Sequence, residues 1–182
     1  MREIFQNSYY SGAGGISIRQ NRDIRLIIFN AETNPALKKQ GKKYSNDTAE
    51  VKLSTSEAMS IAAYAKLVSE KYKEAQINNI DLKANSRKFI PLCSLVHKFE
   101  QDKYKSFKTV AVSCSGDYKF LAFIVTDNIT KKTYKAYISQ NNCDELAKFL
   151  EDAVSRQFLV DCIYTPKENY NRNRKAEYQP AI

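Results

Sequence analysis

The chain lacks any long apolar run. No stretch approaches the roughly 20 consecutive apolar residues that a helix needs to cross a bilayer. The N-terminal sequence MREIFQNSYY has neither the apolar core of a signal peptide nor an Arg-rich amphipathic targeting pattern. We therefore expect a cytoplasmic protein that has no membrane partner.

Residues suited to catalysis are also few, since the chain has one histidine and no tryptophan. His97 lies in an apolar alternation with Leu95 and Val96, a pattern typical of a structural histidine rather than a general base. Any Ser–His–Asp or Cys–His arrangement would have to include this residue. The sequence therefore argues against the common nucleophilic hydrolases.

The four cysteines are far apart and lack metal-binding spacing. Their intervals of 21, 29 and 19 residues contain no C-x-x-C pair, and only one histidine could help them hold zinc. We expect reduced thiols in the core at Cys93, Cys114, Cys143 and Cys162.

Phosphate-binding loops and acidic clusters are missing as well. The GAGG at 12–15 lacks both the G-x-G-x-x-G spacing and the Lys-Ser/Thr of a P-loop, so it predicts a turn. Acidic pairs at 144–145 and 151–152 fall on a predicted helix and form no tight constellation for metal-dependent nuclease chemistry. We therefore expect no catalytic residue, no metal and no cofactor, in a protein that is not an enzyme.

Positive charge is abundant. The chain has 29 Lys plus Arg against 20 Asp plus Glu, a net charge of +9 and a pI of about 9.3, which favours a polyanionic partner. Richness in Lys, Asn, Tyr and Ile is typical of an AT-rich coding genome, such as that of many phages, mobile elements and some bacteria. The length of 182 residues predicts one compact domain, which we place at 1–164.

The first half reads as four strands and a helix. Period-two alternation predicts strands within 3–10, 16–19, 23–31 and 49–53, with a basic loop at 32–48. Ser54 followed by Glu57 forms a capping-box pattern, and apolar residues at three- and four-residue steps predict a helix over 55–75.

The second half repeats this order of elements. We predict strands at 88–99, 106–114, 118–127 and 132–139, then a helix capped by Asn142 and Glu145 that ends near 156. An apolar segment at 158–164 should pack against the core, and 165–182 should form a flexible basic tail.

The predicted fold class is therefore α+β, with two repeated units of a four-stranded antiparallel sheet followed by a helix. The units span 3–75 and 88–156 and are linked by 76–87. This pseudo-dimeric chain needs no second copy to complete its core, although a homo-oligomer stays open. The alternative is an ordinary α+β domain whose symmetry is coincidental.

This order of elements, the basic charge and the polar strand faces together resemble a known group over residues 3 to 156. The group comprises the Whirly proteins, the PUR repeats, the trypanosome guide-RNA-binding proteins and the positive-coactivator-four fold. The resemblance implies two sheet-helix units that associate through their helices and hold single-stranded DNA or RNA across the strands. The nearest match to the Lys-Gly-Lys-Ala-Ala signature of plant Whirly proteins is the segment 39–43, KQGKK, which lies in a loop and lacks the alanines.

Single-strand binding needs cations that follow the phosphates and flat side chains on which bases stack. Candidates are expected on the strand faces away from the helices and on the long loop. In the first unit they are Arg19, Arg25, Phe29 and Lys52, with Lys38, Lys39, Lys42, Lys43 and Tyr44 on the loop. In the second unit they are Lys108, Lys119, Phe123, Lys135 and Tyr137.

Three functional hypotheses are open on the sequence alone. The first is a sequence-tolerant single-stranded DNA-binding protein for replication or recombination of a phage or mobile element. The second is an RNA-binding chaperone or regulator, because a stacking surface accepts either sugar. The third is a protein-interaction scaffold that is not an enzyme and whose basic faces dock an acidic partner.

Overall fold

A computed structural model describes the backbone of residues 5–21, 23–82, 85–101 and 104–177. It describes the side chains of this part of the chain except at 101, 104, 160 and 162–177. Two four-stranded antiparallel sheets are present, each with its strands in sequence order and each followed by a long helix. The predicted fold class of two sheet-helix units is confirmed.

Sheet 1 and its helix form from the first half of the chain. The elements are β1 (Phe5–Tyr10), β2 (Gly14–Gln20), β3 (Ile24–Ala31), α1 (Pro35–Lys39), β4 (Tyr44–Leu53) and α2 (Thr55–Ile77). The predicted loop at 32–48 is therefore too long, because it contains α1 and the first residues of β4. The capping box is confirmed: Ser54 Oγ accepts from the Glu57 backbone N–H, and the Glu57 carboxylate accepts from the Ser54 N–H at 2.8 Å.

Sheet 2 and the last helix follow. The elements are β5 (Phe89–Gln101), β6 (Tyr104–Ser115), β7 (Phe120–Asp127), β8 (Thr133–Ser139) and α3 (Gln140–Glu177). Strand β7 pairs with β6 only from Lys108 to Cys114, whereas β5 and β6 stay paired to the end of their hairpin. Residues 98–101 and 104–107 therefore project beyond the sheet as a two-stranded ribbon, termed the arm below.

The predicted cap of the second helix is wrong. Helix α3 begins at Gln140, directly after β8, and the Gln140 backbone N–H donates to the Lys119 carbonyl. Asn142 and Glu145 therefore lie inside the helix, where no cap is needed. The helix also continues past 156 and includes 158–164. The mobility expected of the tail at 165–182 stays a prediction, because the helical backbone extends to Glu177 and 178–182 lie outside the described residues.

Helices α2 and α3 pack together on one side of both sheets. They run antiparallel, because Lys66 pairs with Glu151 while Lys73, about two turns further on, pairs with Asp144. The inward side chains of both halves join one apolar core, whose fully buried members include Ile18, Leu26, Val112, Phe123 and Leu150. We term the opposite side of each sheet its outer face.

Residues of sheet 1 form hydrogen bonds with β8, the edge strand of sheet 2. The Asn30 side chain donates to the Thr133 carbonyl at 3.0 Å and accepts from the Lys135 N–H at 2.9 Å, as a neighbouring strand would. Asp47 accepts from the Tyr134 hydroxyl at 3.0 Å. Gly14 permits this approach, since a Cβ there would lie 2.5 Å from the Lys135 carbonyl oxygen. A few polar contacts and the close approach at Gly14 therefore help the shared core to hold the two outer faces in position.

Candidate nucleic-acid interface

Three aromatic rings cluster at one end of the outer face of sheet 1. Tyr10, Phe29 and Tyr44 have ring centroids 5.2–5.9 Å apart, and we term them the first cluster. Cross-strand register places Tyr10, Gly15 and Phe29 side by side. The Phe29 ring lies over Gly15, where a Cβ would collide with it. Glycine at this position therefore lets the ring lie flat against the sheet.

A second cluster lies on the outer face of sheet 2. Tyr137 has its ring centroid 6.2 Å from that of Phe89 and 6.5 Å from that of Phe120. The cross-strand neighbour of Tyr137 is Ala122, a small buried residue that leaves room for the ring. Both sheets thus present aromatic side chains beside a small residue.

The two clusters meet at the turn around Ser11. The Tyr44 hydroxyl donates to the Ser11 carbonyl, and the Tyr137 backbone N–H donates to Ser11 Oγ, both at 3.4 Å. Side chains remain accessible in each cluster, with 59% of Tyr10 and 44% of Phe120 exposed. The result is an interrupted aromatic surface that spans the junction between the sheets.

Lysines border the first cluster. The cleft beside Tyr44 is lined by Ser11, Gly12, Ala31, Glu32, Lys38, Gly41, Lys42, Lys43 and Tyr44. Lys42 lies 3.6 Å from the Glu32 carboxylate, whereas Lys38 and Lys43 are exposed. The Asn34 backbone N–H, with help from Lys42, holds the pKa of Glu32 below its usual range. Lys39 is exposed at the end of α1, outside the cleft lining.

Three cations form a row at the other end of this outer face. Arg19, Arg25 and Lys52 are direct cross-strand neighbours on β2, β3 and β4. Like charges placed opposite one another destabilise a sheet. Asp23 and Glu50 offset part of this repulsion: Lys52 lies 2.7 Å from Asp23, and Arg25 pairs with both acids. Two acids leave the row with excess positive charge.

Three predicted site residues do not lie on an outer face. Phe123 is wrong as a stacking residue, because it is 0% exposed and packs in the core between the sheets and helices. Lys119 lies in the β6–β7 turn, where its Nζ is 3.7 Å from Asp117. Lys108 alternates onto the helix side of sheet 2 and donates to the Glu50 carbonyl at 2.8 Å.

Among the remaining predictions, Lys38 and Lys39 lie on α1 rather than on a loop. Lys135 and Tyr137 lie on the outer face of β8, and Phe29 lies on that of β3. Sequence reasoning missed Tyr10, Phe89 and Phe120. The alternation of Tyr9 and Tyr10 offered a signal for one of them, because one of two adjacent strand residues must face outward.

The other chemical expectations concern thiols and metals. Cys114 and Cys143 are buried free thiols, Cys93 is half-buried, and the Cys162 side chain lies outside the described residues. Burial, assisted by Asp144, raises the pKa of Cys143 to about 12. Among the described residues, no group of three or more His, Cys, Asp or Glu is arranged to hold a metal ion. No helix in this part of the chain is long and apolar enough to span a membrane.

Solved structures of plant proteins share this fold. The chain is similar to the plant transcriptional regulator PBF-2, with 12% identity and a TM-score of 0.50 over 87% of this chain and 95% of that one. It is also similar to WHY1 from Arabidopsis thaliana, with 14% identity and a TM-score of 0.51 over 100% of this chain and 98% of that one. No protein-family model matches the chain, and no curated protein matches its sequence. The likenesses confirm the predicted Whirly-like fold.

Proposed function

We propose that this protein binds single-stranded nucleic acid, with little sequence preference, on the outer faces of its two sheets. The observation that carries the proposal is the meeting of two three-ring clusters at Ser11 beside exposed lysines. Stacking accepts any base because every base has a flat face, and cations that follow phosphates are indifferent to sequence.

An unpaired strand fits this surface better than a duplex. Base faces are covered by stacking within a duplex, so aromatic side chains reach them only in single strands or at disrupted sites. The rings lie on two strand faces rather than on a protruding helix that could enter a major groove. The surface itself does not discriminate between DNA and RNA, because stacking is independent of the sugar.

The fold comparison supports the proposal. PBF-2 is a transcriptional regulator, a role that fits contact with nucleic acid. A non-enzymatic binding role also fits the chemistry of the surface, which offers rings and cations. The specific role we propose is replication or recombination of a phage or mobile element, and the AT-rich compositional bias is typical of such a source.

The test is fluorescence anisotropy with labelled oligothymidylate, oligouridylate and duplex DNA of equal length. Single strands should bind more tightly than the duplex. Tyr10→Ala and Phe120→Ala should each weaken single-strand binding by about 5- to 150-fold, the equivalent of one base that no longer stacks. Phe158→Ala is the matched control, because Phe158 is an equally exposed aromatic that lies on α3 rather than on a sheet.

Salt titration separates the two kinds of contact. Lys43→Ala and Lys135→Ala should each reduce the log–log salt slope by about 0.7 for every phosphate that is no longer neutralised. Tyr10→Ala should leave that slope unchanged. Equal binding of all three nucleic acids, with no effect of the ring substitutions, would contradict the proposal and favour an acidic protein partner.

A further inference from the structure

A second groove lies at the base of the arm, at the far end of sheet 1 from the aromatic clusters. One wall comes from the β4–α2 junction and the other from the β5–β6 hairpin. The lining residues are Lys52, Ser54, Glu57, Val96, His97, Lys98, Phe99 and Ser106. The groove therefore joins the two units of the chain.

The groove combines an exposed ring with a cation. Phe99 is 54% exposed, and its cross-strand partner Ser106 also lines the groove, so the register turns both side chains toward it. Lys52 contributes a cation from one wall, whereas Lys98 on the other wall is the cross-strand partner of Phe107 and alternates onto the face opposite Phe99. An exposed aromatic ring in a groove that is also lined by a lysine suits a ligand that has a flat apolar portion and negative charge.

The floor of the groove is polar and incompletely satisfied. His97 Nε2 is buried and has no hydrogen-bond partner among the described residues, and the nearest carboxylate oxygen, Glu57 Oε1, is 3.5 Å away. The other carboxylate oxygen of Glu57 is occupied by the capping box with Ser54. Buried polar atoms without partners are uncommon, so this floor is better matched by a polar ligand than by an apolar one.

The groove is continuous with the cationic row. Lys52 belongs to both, since it is the cross-strand neighbour of Arg25 and also lines the groove. Arg25 and Phe29 are four residues apart on β3, which corresponds to about 13 Å along the strand. An extended polyanion that leaves the first cluster along β3 therefore reaches the row and then the groove.

We propose that this groove is a second subsite for the same single strand of nucleic acid. A base lies against Phe99, and a flanking phosphate lies near Lys52. The inference rests on the proposed function and extends it, because it adds a contact for the end of the bound nucleic-acid strand that is distant from Ser11. Strands too short to reach from the clusters to the arm do not use this subsite.

The experiment measures affinity for oligothymidylates of increasing length. Phe99→Ala should leave the affinity for the shortest binding strands unchanged and weaken the longer ones by about 5- to 150-fold. Lys52→Ala should lower the salt slope by about 0.7 only on strands long enough to reach Lys52. The matched controls are Phe107→Ala and Lys105→Ala: both residues lie on the arm, and the register turns Phe107 to the face opposite Phe99.

The outcomes distinguish the inference from the proposed function. If Tyr10→Ala weakens binding at every length while Phe99→Ala matches Phe107→Ala, the groove proposal is overturned and the proposed function stands. If Tyr10→Ala has no effect at any length, the proposed function itself fails. A loss of self-association on Phe99→Ala, measured by light scattering without nucleic acid, would overturn the subsite in favour of a second copy of the chain.

Discussion

Gly14→Ala tests whether the junction between the sheets positions the binding surface. The new Cβ would collide with the Phe29 carbonyl oxygen and lie 2.5 Å from that of Lys135. Ordinary contact needs about 3.5 Å, so the edge of sheet 2 must retreat by roughly 1 Å. The two Asn30 hydrogen bonds, now 3.0 and 2.9 Å, would then exceed bonding distance.

The expected loss of stability can be estimated from these changes. Overpacking costs about 1–3 kcal/mol, and each of the two broken hydrogen bonds adds about 0.5–1.5 kcal/mol, so we expect a decrease of about 2–6 kcal/mol in the free energy of unfolding. The melting temperature should fall by about 2–4 °C for each kcal/mol. Strand affinity should fall as well, because the two clusters would separate at Ser11.

Gly12→Ala is the control for this prediction, and Gly15→Ala separates stability from binding. A Cβ on Gly12 has no atom within 4 Å, so urea denaturation should show a change within about 0.5 kcal/mol. On Gly15 the obstacle is the Phe29 ring, which can swing aside, so binding should suffer more than stability. If Gly14→Ala is as stable as Gly12→Ala, the close approach of the sheets does not hold the junction.

Two further predictions concern the helices and the core. A hydrogen bond from Lys73 holds the pKa of Asp144 below its usual range. The ionised carboxylate therefore stabilises the fold above its unfolded-state pKa of about 3.9. This contribution is lost as the pH falls through the lower pKa of the folded state. The stability difference between wild type and Asp144→Asn, measured by urea denaturation, should therefore be constant near neutrality and shrink below about pH 4; a difference that grows on acidification would contradict the pairing. Phe123→Ala should lower the free energy of unfolding by about 3–5 kcal/mol through the cavity it leaves. Phe120→Ala should lower it far less but weaken binding of the nucleic-acid strand. Equal losses of stability in the two variants would contradict the assignment of Phe123 to the core and Phe120 to the outer face.

Local patterns predicted the fold wherever one local interaction determined it. The Ser54–Glu57 box began α2 because both reciprocal hydrogen bonds form between residues three apart. The same spacing at Asn142 and Glu145 misled, because α3 starts directly from β8 and leaves no loop for a cap. A cap pattern therefore identifies a helix start only where the helix has not already begun, as α3 has at Gln140.

The candidate site could be predicted only in part, because alternation defines two faces without saying which is buried. Phe123 has Leu121 and Val125 two residues away on either side, and such apolar neighbours indicate a core position. The same rule would have placed Phe29 in the core, since its neighbours are Ile27 and Ala31. Phe29 faces outward because the opposite face of β3 carries residues that are completely buried. That difference depends on the tertiary contacts of the whole sheet.

A single chain with two units is free to make them different, and here they differ where a strand would bind. The first cluster borders a cleft lined by lysines on the α1–β4 connection, whereas Lys135 is the outer-face lysine next to Tyr137 on β8. A symmetric dimer of one unit would repeat the same contacts and would accept a strand in either direction. Unequal cation placement on the two sheets instead makes the two directions of a bound strand unequal in free energy. On the proposed function, the duplication therefore gives the surface a preferred strand polarity.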